Sequence, residues 1–325
     1  MWVLYNAWRK DKALVDEAAV EDEKNYVIRT LNDMGYESQV YALESVAGLT
    51  AEINSKGKPR LILNLAEAYC GDAGKEAHVA ALLELLDLPY TGNSSKTLTL
   101  AQDKILTKRL LSQAGIPTPP WTVFDGDSFP QTEGLAYPLI AKPSREDASL
   151  GISSKNVCSR PQELKAIAEK LFTTFRQPIL IEKYIEGREL NASILQKGSS
   201  PTVLPLSEIL FDSLPKDQAR LVGYDAKWNQ SSIEYRGTPA ECPAQVEPTL
   251  QARIIEISRG VFTLLEGKDY GRVDFRIDRS GNPWVLEYNP NPDISPGAGF
   301  VLALNAGQIG FPGFLKILLE NNGYV

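Results

Sequence analysis

The sequence predicts an α/β fold in which a parallel sheet layered with helices precedes a region of paired strands. Through the first 95 residues, strand and helix signals alternate as β-α-β-α-β, which is typical of a parallel sheet covered by helices. Beyond the proline-rich stretch at 116–120, helices are fewer and strands come in pairs. At roughly 150 residues per domain, the 325 residues correspond to about two domains, or to one domain with lobes.

The N-terminal elements follow from local patterns. Short apolar runs indicate strands at 2–5, 39–41, 60–65 and 89–91. The run at 60–65 is nearly continuous, as in a buried parallel strand. A helix is predicted before Gly35, because Val27, Leu31 and Met34 recur at helical spacing and glycine is a common helix stop. A second helical stripe covers 79–86.

The elements that follow show a change of pattern. Ser94 or Ser95 is predicted to cap one helix that ends near Gly115. Ser159 is predicted to cap another helix, which has its apolar face over 164–171. Strands are expected at 137–142 and 178–182, irregular strands with long loops at 198–245, and a helix near 248–266. The prolines at 116–120 predict a joint between subdomains.

Composition and charge exclude several classes of protein. With 41 acidic and 34 basic residues the net charge is −7, which argues against a nucleic-acid backbone binder. No apolar run approaches the roughly 18–20 residues of a membrane helix, and the N-terminus lacks the basic lead of a signal peptide. Cys70, Cys158 and Cys242 form no zinc spacing, and His78 is the only histidine, so multi-histidine metal sites are excluded. We expect a cytoplasmic protein without nucleic-acid or membrane partners.

The most informative segment is a predicted hairpin over 271–289. Both flanks alternate with period 2, and Ser280-Gly281 is a turn signal. With the turn centred between these two residues, partners across the strands have numbers that sum to 561. One face then carries favourable aromatic and branched pairs, namely Val273–Tyr288, Phe275–Leu286 and Ile277–Trp284.

The other face of the hairpin places two acids opposite each other. Asp274 faces Glu287, and Arg272 faces Asn289. Opposed carboxylates repel each other and destabilise a hairpin, so replacing Glu287 by Gln is expected to relieve repulsion. Their oxygens suit a hard cation, Mg²⁺ or Mn²⁺, while Arg272 could hold an anionic oxygen. The alternative is a solvated face on which the two acids meet by accident.

Two lysines favour a phosphate ligand. Lys142 ends the strand at 137–142, and the small residues of 144–151 permit a backbone hood over phosphates. Lys104 lies on the helix predicted after Ser95. The alternative for either lysine is an ordinary surface position. The chain contains neither a P-loop motif nor the glycine pattern of a dinucleotide site.

Together these residues resemble the ATP-grasp superfamily, and within it the D-alanine–D-alanine ligase group. Seven segments occur in the family's order, at 82–92, 103–120, 142–146, 181–184, 187–190, 271–275 and 287–289. The resemblance implies an N-terminal Rossmann-like domain over 1–95, a central ATP-grasp subdomain over 96–180 and a C-terminal subdomain with the metal site over 181–325. It also implies an ATP-dependent ligase that joins small-molecule carboxylate and amine substrates through an acylphosphate. A homodimer is left open.

The resemblance also implies a role for individual residues. The ATP phosphates would be bound by Lys104, Lys142, the hood residue Ser149 and Lys227. Adenine would be held by Glu182, Lys183 and the backbone near Ile185, and the ribose by Glu189. Mg²⁺ (or Mn²⁺) would be held by Asp274, Glu287 and Asn289. Arg272 would stabilise the phosphoryl oxygens and a tetrahedral intermediate.

The part of the chain that would bind amino acids departs from the family pattern. Ala148 replaces the family's lid serine, Trp228 its tyrosine, and Asp293 and Ala298 the glycine and serine that receive the acceptor carboxylate. The family's N-terminal glutamate has no clear match in residues 6–10. We therefore expect altered specificity, with Asp293 repelling a carboxylate where little water screens it. A genuine D-alanine–D-alanine ligase and a non-catalytic nucleotide-binding protein stay open, and so does a helix-capping role for Asp293.

Overall fold

The computed structural model describes residues 1–7, 15–132, 134–147, 149–215, 218–229 and 231–325, and the side chains of 15–19 are outside that description. The described residues form three sheets covered by helices, which confirms the predicted α/β class. The predicted domain limits stay a prediction. Each of the three predicted domains contains one sheet. The strand Ile179–Lys183, which belongs to the central sheet, crosses the predicted boundary at residue 180.

The N-terminal sheet is parallel, with strand order β2-β1-β3. Its elements in chain order are β1 (Trp2–Asn6), α1 (Val15–Asp33), β2 (Gln39–Leu43), α2 (Val46–Lys56), β3 (Ile62–Asn64) and α3 (Glu76–Leu85). The strand predicted at 89–91 is reduced to a single bridge between Ile62 and Tyr90. The chain turns away directly afterwards, at Gly92, whose N–H donates to Asp269 instead of to a neighbouring strand.

Two helices occupy the region where one was predicted, α4 (Ser95–Gln102) and α5 (Lys104–Gln113). Asp103 leaves the helical conformation, and its carboxylate accepts from the N–H groups of Ile105 and Leu106. Such a cap starts a new helix, so Lys104 lies at the first turn of α5. Ser94, one of the two predicted caps, accepts from the N–H of Thr97 and starts α4.

The central sheet is antiparallel, with strand order β4-β7-β5-β6. Its elements are β4 (Trp121–Phe124), β5 (Leu139–Pro143), β6 (Val157–Cys158), α6 (Pro161–Phe175) and β7 (Ile179–Lys183). The prediction that Ser159 caps α6 is wrong. Arg160 holds the cap position, and Pro161 begins the helix, where its fixed φ and missing N–H cost nothing.

The C-terminal sheet is antiparallel, with order β11-β10-β8-β12-β13, and β9 pairs with β8. Its strands are β8 (Gly187–Lys197), β9 (Ser200–Val203), β10 (Ser207–Ile209), β11 (Ala240–Glu241), β12 (Tyr270–Asp278) and β13 (Pro283–Asn289). The accompanying helices are α7 (Tyr224–Trp228), α8 (Ile233–Gly237), α9 (Pro248–Leu264), α10 (Gly299–Ala306) and α11 (Gly310–Asn321).

The hydrophobic cores join parts of the chain that are far apart in sequence. Val3 of β1 and Leu31 of α1 share one core with Phe300 of α10 and Phe314 of α11, all fully buried. A second core lies between α9 and the C-terminal sheet and includes Leu111 of α5. Burying such side chains contributes about 1.5–3 kcal/mol each to folding stability. The cores therefore hold the elements that they join in fixed relative positions.

No single helix in the described ranges is long and apolar enough to cross a membrane. The neighbours α10 and α11, bent by 96° at the break between them, meet the length and composition test only as a pair.

Candidate active site

The hairpin of β12 and β13 pairs its functional face as predicted. Asp274 lies opposite Glu287 and Arg272 opposite Asn289, and Val273 faces Tyr288. This agreement results from two differences that cancel. The turn is centred on Ser280, half a residue before the predicted centre, so the partner numbers next to it sum to 560; Asp278 pairs with Asn282 around a three-residue turn with Gly281 at φ 79°.

A bulge beside the acid pair restores the register. Phe275 faces Val285 and Ile277 faces Pro283, so the predicted pairs with Leu286 and Trp284 are wrong. The extra residue is Leu286 in β13, between the partners of Asp274 and Phe275. Bulges often re-aim side chains next to functional sites, and Leu286 lines the cleft described below.

Asp274 is held by two neighbours on the same sheet. Arg272 donates to both of its carboxylate oxygens, from Nε at 2.6 Å and from a terminal nitrogen at 2.8 Å. Asn191 of β8, directly opposite Asp274 in the ladder, donates from Nδ2 at 2.8 Å. Burial alone would lower the pKa of Arg272, but Asp274 raises it above the ordinary value. The bidentate contact and the bond from Asn191 fix the Asp274 carboxylate in one orientation.

Glu287 faces a ring of cations. Its carboxylate lies 3.7 Å from Nζ of Lys104. Burial would raise the pKa of Glu287, but Lys104, Lys227, Lys142 and Arg272 outweigh it and lower the value to about 2. We therefore predict net attraction at Glu287 in place of the repulsion expected from sequence, because the sequence showed only the acid opposite and not the cations around it.

Lys104 connects the hood to the acid pair. Its ammonium donates to the carbonyl of Glu146 at 2.5 Å and lies 3.6 Å from the Asp147 carboxylate. Burial would lower the pKa of Lys104, but Asp147 and Glu287 raise it above the ordinary value. A buried ammonium group at this position would attract an anion that binds between the hood and the hairpin.

Lys142 shares a carboxylate with a second, deeper lysine. Nζ of Lys142 donates to Oε1 of Glu182 at 2.7 Å, and Nζ of Lys108 lies 2.5 Å from Oε2. Burial would raise the pKa of Glu182, but the two lysines hold it below the ordinary value. Both side-chain oxygens of Glu182 are therefore committed to cations.

At the far end of the cleft, Glu189 pairs with Arg276. The two are partners in the ladder between β8 and β12, with Nε of Arg276 3.6 Å from the carboxylate. The guanidinium also donates to the carbonyl of Gly187 at 3.0 Å and to the Tyr184 hydroxyl at 3.3 Å. Burial raises the pKa of Glu189 despite Arg276, so this carboxyl lies in a weakly solvated position.

The hood is attached to the loop that carries Lys227. Ser149, at φ 60°, donates from Oγ to the carbonyl of Val222 at 2.9 Å, and the N–H of Tyr224 donates to the carbonyl of Ile152. These bonds hold the start of α7 over the opening, so that Lys227 reaches the cleft wall.

These groups surround a cleft of about 240 Å³ between the central and C-terminal sheets. Ten residues predicted from sequence line it, namely Lys142, Ser149, Glu182, Lys183, Ile185, Glu189, Lys227, Arg272, Asp274 and Glu287. Four others lie outside the lining: Lys104 beside Glu287, Asn289 at the end of β13, Asp293 in the following loop and Trp228 at the end of α7. Residues 8–10 and Ala148 lie outside the described residues.

Acidic groups cluster where the loop that follows β13 meets Glu23 of α1. Burial, followed by Glu67 and Asp293, raises the pKa of Glu23 well above its ordinary value. Glu23 accepts from the N–H of Ile294 at 2.8 Å. Asp293 itself is exposed, so water screens it more than the sequence suggested. It caps no helix: it accepts from the N–H of Ser295 at 2.7 Å, and α10 begins only at Gly299.

The donors fit a hard cation. The described residues contain no group of three or more His, Cys, Asp or Glu side chains placed for a metal. The predicted set has two carboxylates and the amide of Asn289, whose Oδ1 accepts from the N–H of Asn291. Oxygen donors, with Glu287 ionised above about pH 2, are the chemistry that Mg²⁺ prefers.

Comparison with known proteins agrees with this geometry. A family model described as "D-ala D-ala ligase C-terminus" matches residues 110–320, more than half of the chain. The chain belongs to the D-alanine–D-alanine ligase family. This confirms the resemblance stated from sequence and, at the level of the family, the predicted class of ATP-dependent ligase that forms carbon–nitrogen bonds.

Individual relatives of this ligase-family chain cover most of its length. The D-alanine–D-alanine ligase of Carboxydothermus hydrogenoformans is 34% identical over 261 residues, 78% of each chain. The uncharacterized protein y4sG of Sinorhizobium fredii is 34% identical over 249 residues, 76% of this chain and 70% of that protein. The crystal structure of the Bacillus anthracis D-alanine–D-alanine ligase complexed with ATP matches with a TM-score of 0.78 at 22% identity, over 99% of this chain and 96% of that one. This last similarity confirms the ATP-grasp fold.

Three residues of the ligase site escaped the sequence analysis. Lys108 lies four residues after Lys104, so helical spacing places both on one face of α5. Arg276 continues the alternation of Arg272 and Asp274 along β12, so period 2 could have identified it. Asn191 carried no local signal, because its role depends on the pairing of β8 with β12.

Proposed function

We propose that this chain binds ATP and Mg²⁺ in the cleft between the central and C-terminal sheets and uses ATP to join a carboxylate to an amine. The observation that carries the proposal is the ring of cations around the acid pair, with Lys104 3.7 Å from Glu287 and Arg272 bound to Asp274 through two hydrogen bonds. A nucleotide with several phosphates and a divalent cation complements this arrangement.

Different residues bind the phosphates, the adenine and the ribose of the nucleotide. Lys142, Lys104 and Lys227 neutralise phosphate charge, and the strand end from Glu182 to Ile185 receives adenine through its backbone. Glu189, in its weakly solvated position beside Arg276, accepts from the ribose. Asp274, Glu287 and Asn289 hold Mg²⁺, which when bound draws charge from the phosphate oxygens.

In the proposed reaction, the oxygen of a substrate carboxylate attacks the γ-phosphorus of ATP and ADP leaves. The amine then attacks the carbonyl carbon of the resulting acylphosphate and phosphate leaves, which forms the amide. Arg272, fixed by Asp274, stabilises the negative oxygen that develops at this carbon. Otherwise the chain's task is to position the reactants and neutralise charge.

The acceptor is proposed to differ from free D-alanine. At the loop position where the family receives a carboxylate this chain has Asp293, which forms an acidic cluster with Glu23 and Glu67. A free carboxylate at this position meets like charge. Because Asp293 is exposed, we expect the penalty from its charge to be about 1 kcal/mol.

The function is tested by the release of ADP with Mg²⁺ and ATP against matched sets of amino acids, dipeptides and their amides. We expect ADP release that requires both a carboxylate and an amine, and strong loss of ATP binding in Lys142→Ala. The exposed Lys170→Ala is the matched control, since it removes the same charge far from the cleft. Release with D-alanine alone would establish the ordinary ligase, and ATP binding without turnover on any pair would establish a nucleotide-binding protein. Light scattering would show whether the protein forms a homodimer, and cell fractionation would test the expected cytoplasmic location.

We predict that Asp293→Gly shifts the preference of the enzyme toward acceptors with a free carboxylate. Removing the charge relieves about 1 kcal/mol of repulsion, or roughly fivefold in kcat/KM. The measurement compares wild type and variant on paired acceptors, one with a free carboxylate and one amidated. The charge argument is wrong if the wild type already prefers the free carboxylate and the variant gains nothing.

A further inference from the structure

Lys108 of α5 is among the largest fully buried side chains in the described residues, and its side chain is 1% exposed. A buried ammonium group loses its hydration, which costs several kcal/mol unless partners replace the water. Burial accordingly lowers the pKa of Lys108, although Glu182 counteracts it. A hydrophobic residue of similar length would fill the same space without this cost.

The partners of Lys108 lie on both sides of the cleft. Its Nζ lies 2.5 Å from Oε2 of Glu182 and 2.6 Å from Oγ1 of Thr118. Thr118 in turn donates to the carbonyl of Val285 at 2.8 Å. Val285 lies in β13, two residues before Glu287. Lys108 therefore fixes Glu182 relative to the strand that carries the proposed metal ligand.

The charges of this cluster do not cancel. Glu182 binds Lys108 through one oxygen and Lys142 through the other, so two positive charges share one negative charge. The sum is a single positive charge in a site where Glu182 is 1% exposed. Without Lys108, Lys142 and Glu182 would form a neutral pair, and little attraction for an anion would be left at Lys142.

We propose that Lys108 is a positioning residue for ATP: by neutralising and holding Glu182, it leaves the charge of Lys142 available to the nucleotide phosphates. The inference rests on the proposed function, in which Lys142 contacts phosphate. Lys108 does not line the cleft, and Glu182 lies between it and Lys142, so we expect it to act on the nucleotide only through these two residues.

The test separates phosphate binding from adenine binding. In Lys108→Met, which keeps side-chain length and removes the charge, calorimetry should show ATP affinity lower by about tenfold, the scale of one nearby charge. Adenosine affinity should stay within about twofold, because no phosphate is present. A purely structural role would weaken both ligands equally, and that result would overturn the proposal.

A double variant tests the route through Glu182. Lys108→Met combined with Glu182→Gln removes both charges of the deeper pair and frees Lys142, whose ammonium can still donate to the amide oxygen introduced by the second substitution. ATP affinity should return to within about threefold of the wild type. This variant removes the buried carboxylate together with the lysine that neutralises it, so it provides the test even if Lys108→Met alone folds poorly. An affinity as low as that of Lys108→Met would overturn the proposal.

Two further variants separate the possible failures. Lys142→Met should weaken ATP binding at least as much as Lys108→Met. If Lys142→Met binds ATP as tightly as the wild type, the assignment of Lys142 in the proposed function fails. If Lys142→Met loses ATP affinity but Lys108→Met does not, only the inference on Lys108 fails. Lys268→Met changes the net charge equally but lies at the contact with Tyr90 and Asn322, and it should leave ATP affinity unchanged.

Discussion

At the scale of single residues, the charge of the surroundings decides what each acid contributes. The pKa values of Glu287 and Glu23 move in opposite directions. Glu287 faces lysines and Arg272, which keep it ionised. Glu23 faces Glu67 and Asp293, which add to the effect of burial and favour its protonated form. Glu287 is therefore suited to hold a cation, whereas Glu23, when ionised, is repelled by the acids near it.

We predict that Glu287→Gln abolishes turnover and also lowers stability without ligands. The amide cannot ionise, so the attraction to Lys104 is lost. The free energy of unfolding should fall by up to about 1 kcal/mol, as for a partly exposed ion pair. Urea titration without nucleotide measures it, with the exposed Glu256→Gln as control. A more stable Glu287→Gln would show that repulsion from Asp274 dominates after all.

For Glu23 we predict a stability that depends on pH. Its pKa is raised in the folded state, so its contribution is complete below the ordinary glutamate value of about 4.3 and is lost as pH rises through the raised value. Glu23→Gln imitates the protonated form. It should match the wild type near pH 4 and be more stable at pH 8, by urea unfolding at both values. Parallel curves for the two proteins at all pH values would refute this.

At the scale of elements, the ladder between β8 and β12 positions both ends of the cleft. It places Asn191 opposite Asp274 and Glu189 opposite Arg276. The bulge in β13 then adjusts the register so that Glu287 meets Asp274. Alternation along β12 brings Arg272, Asp274 and Arg276 to one face, as any strand must. One wall of the cleft is therefore one face of three neighbouring strands of the C-terminal sheet.

We predict that Gly187→Ala disrupts the start of this ladder. Gly187 has φ 152°, and an added Cβ would lie 1.8 Å from the carbonyl oxygen of Ile277. The strands must separate, which should cost about 3 kcal/mol or more and raise the KM for ATP, because Glu189 is two residues away. Thermal unfolding and initial rates measure both effects.

Gly198→Ala is the matched control for this substitution. Gly198 has φ 59° with no atom within 4 Å of an added Cβ, so only the left-handed backbone is strained, at about 1 kcal/mol. If the two variants lose equal stability, close approach to Ile277 is not the reason for glycine at 187.

At the scale of the whole molecule, the N-terminal region is fastened to the C-terminal sheet at one buried asparagine. Nδ2 of Asn93 donates to the carbonyls of Tyr270 at 2.7 Å and Pro290 at 2.6 Å, and its Oδ1 accepts from the N–H of Lys268. The carbonyl of Pro290 belongs to the segment between β13 and Asp293. The contact thus holds the loop that contains Asp293, where we propose that the acceptor binds, against the N-terminal region.

We predict that Asn93→Ala destabilises the protein by about 2–4 kcal/mol, because several buried backbone groups lose their partners. Unfolding by denaturant should remain a single transition, since α1, α10 and α11 share a core. The exposed Asn305→Ala should change stability by less than about 0.5 kcal/mol. A loss below about 1 kcal/mol for Asn93→Ala would show that water replaces these bonds.

The sequence by itself determined the class of fold and the alternation that displays Arg272 and Asp274, because backbone geometry fixes the period of strands and helices. It also placed Lys104 and Lys142 on the right segments and identified the family. It predicted the opposition of Asp274 and Glu287 correctly, but only because an offset turn and a bulge compensate for each other.

Only the tertiary structure decided what surrounds these residues. Asn191 reaches Asp274 across 83 residues, and Lys108 of α5 forms its ion pair with Glu182 of β7, which is also remote in sequence. The cations that hold Glu287 ionised come from the helix α5, the strand β5, the helix α7 and the strand β12. Electrostatic energy depends on distances in space between segments remote in sequence, and no local pattern of residues encodes those distances.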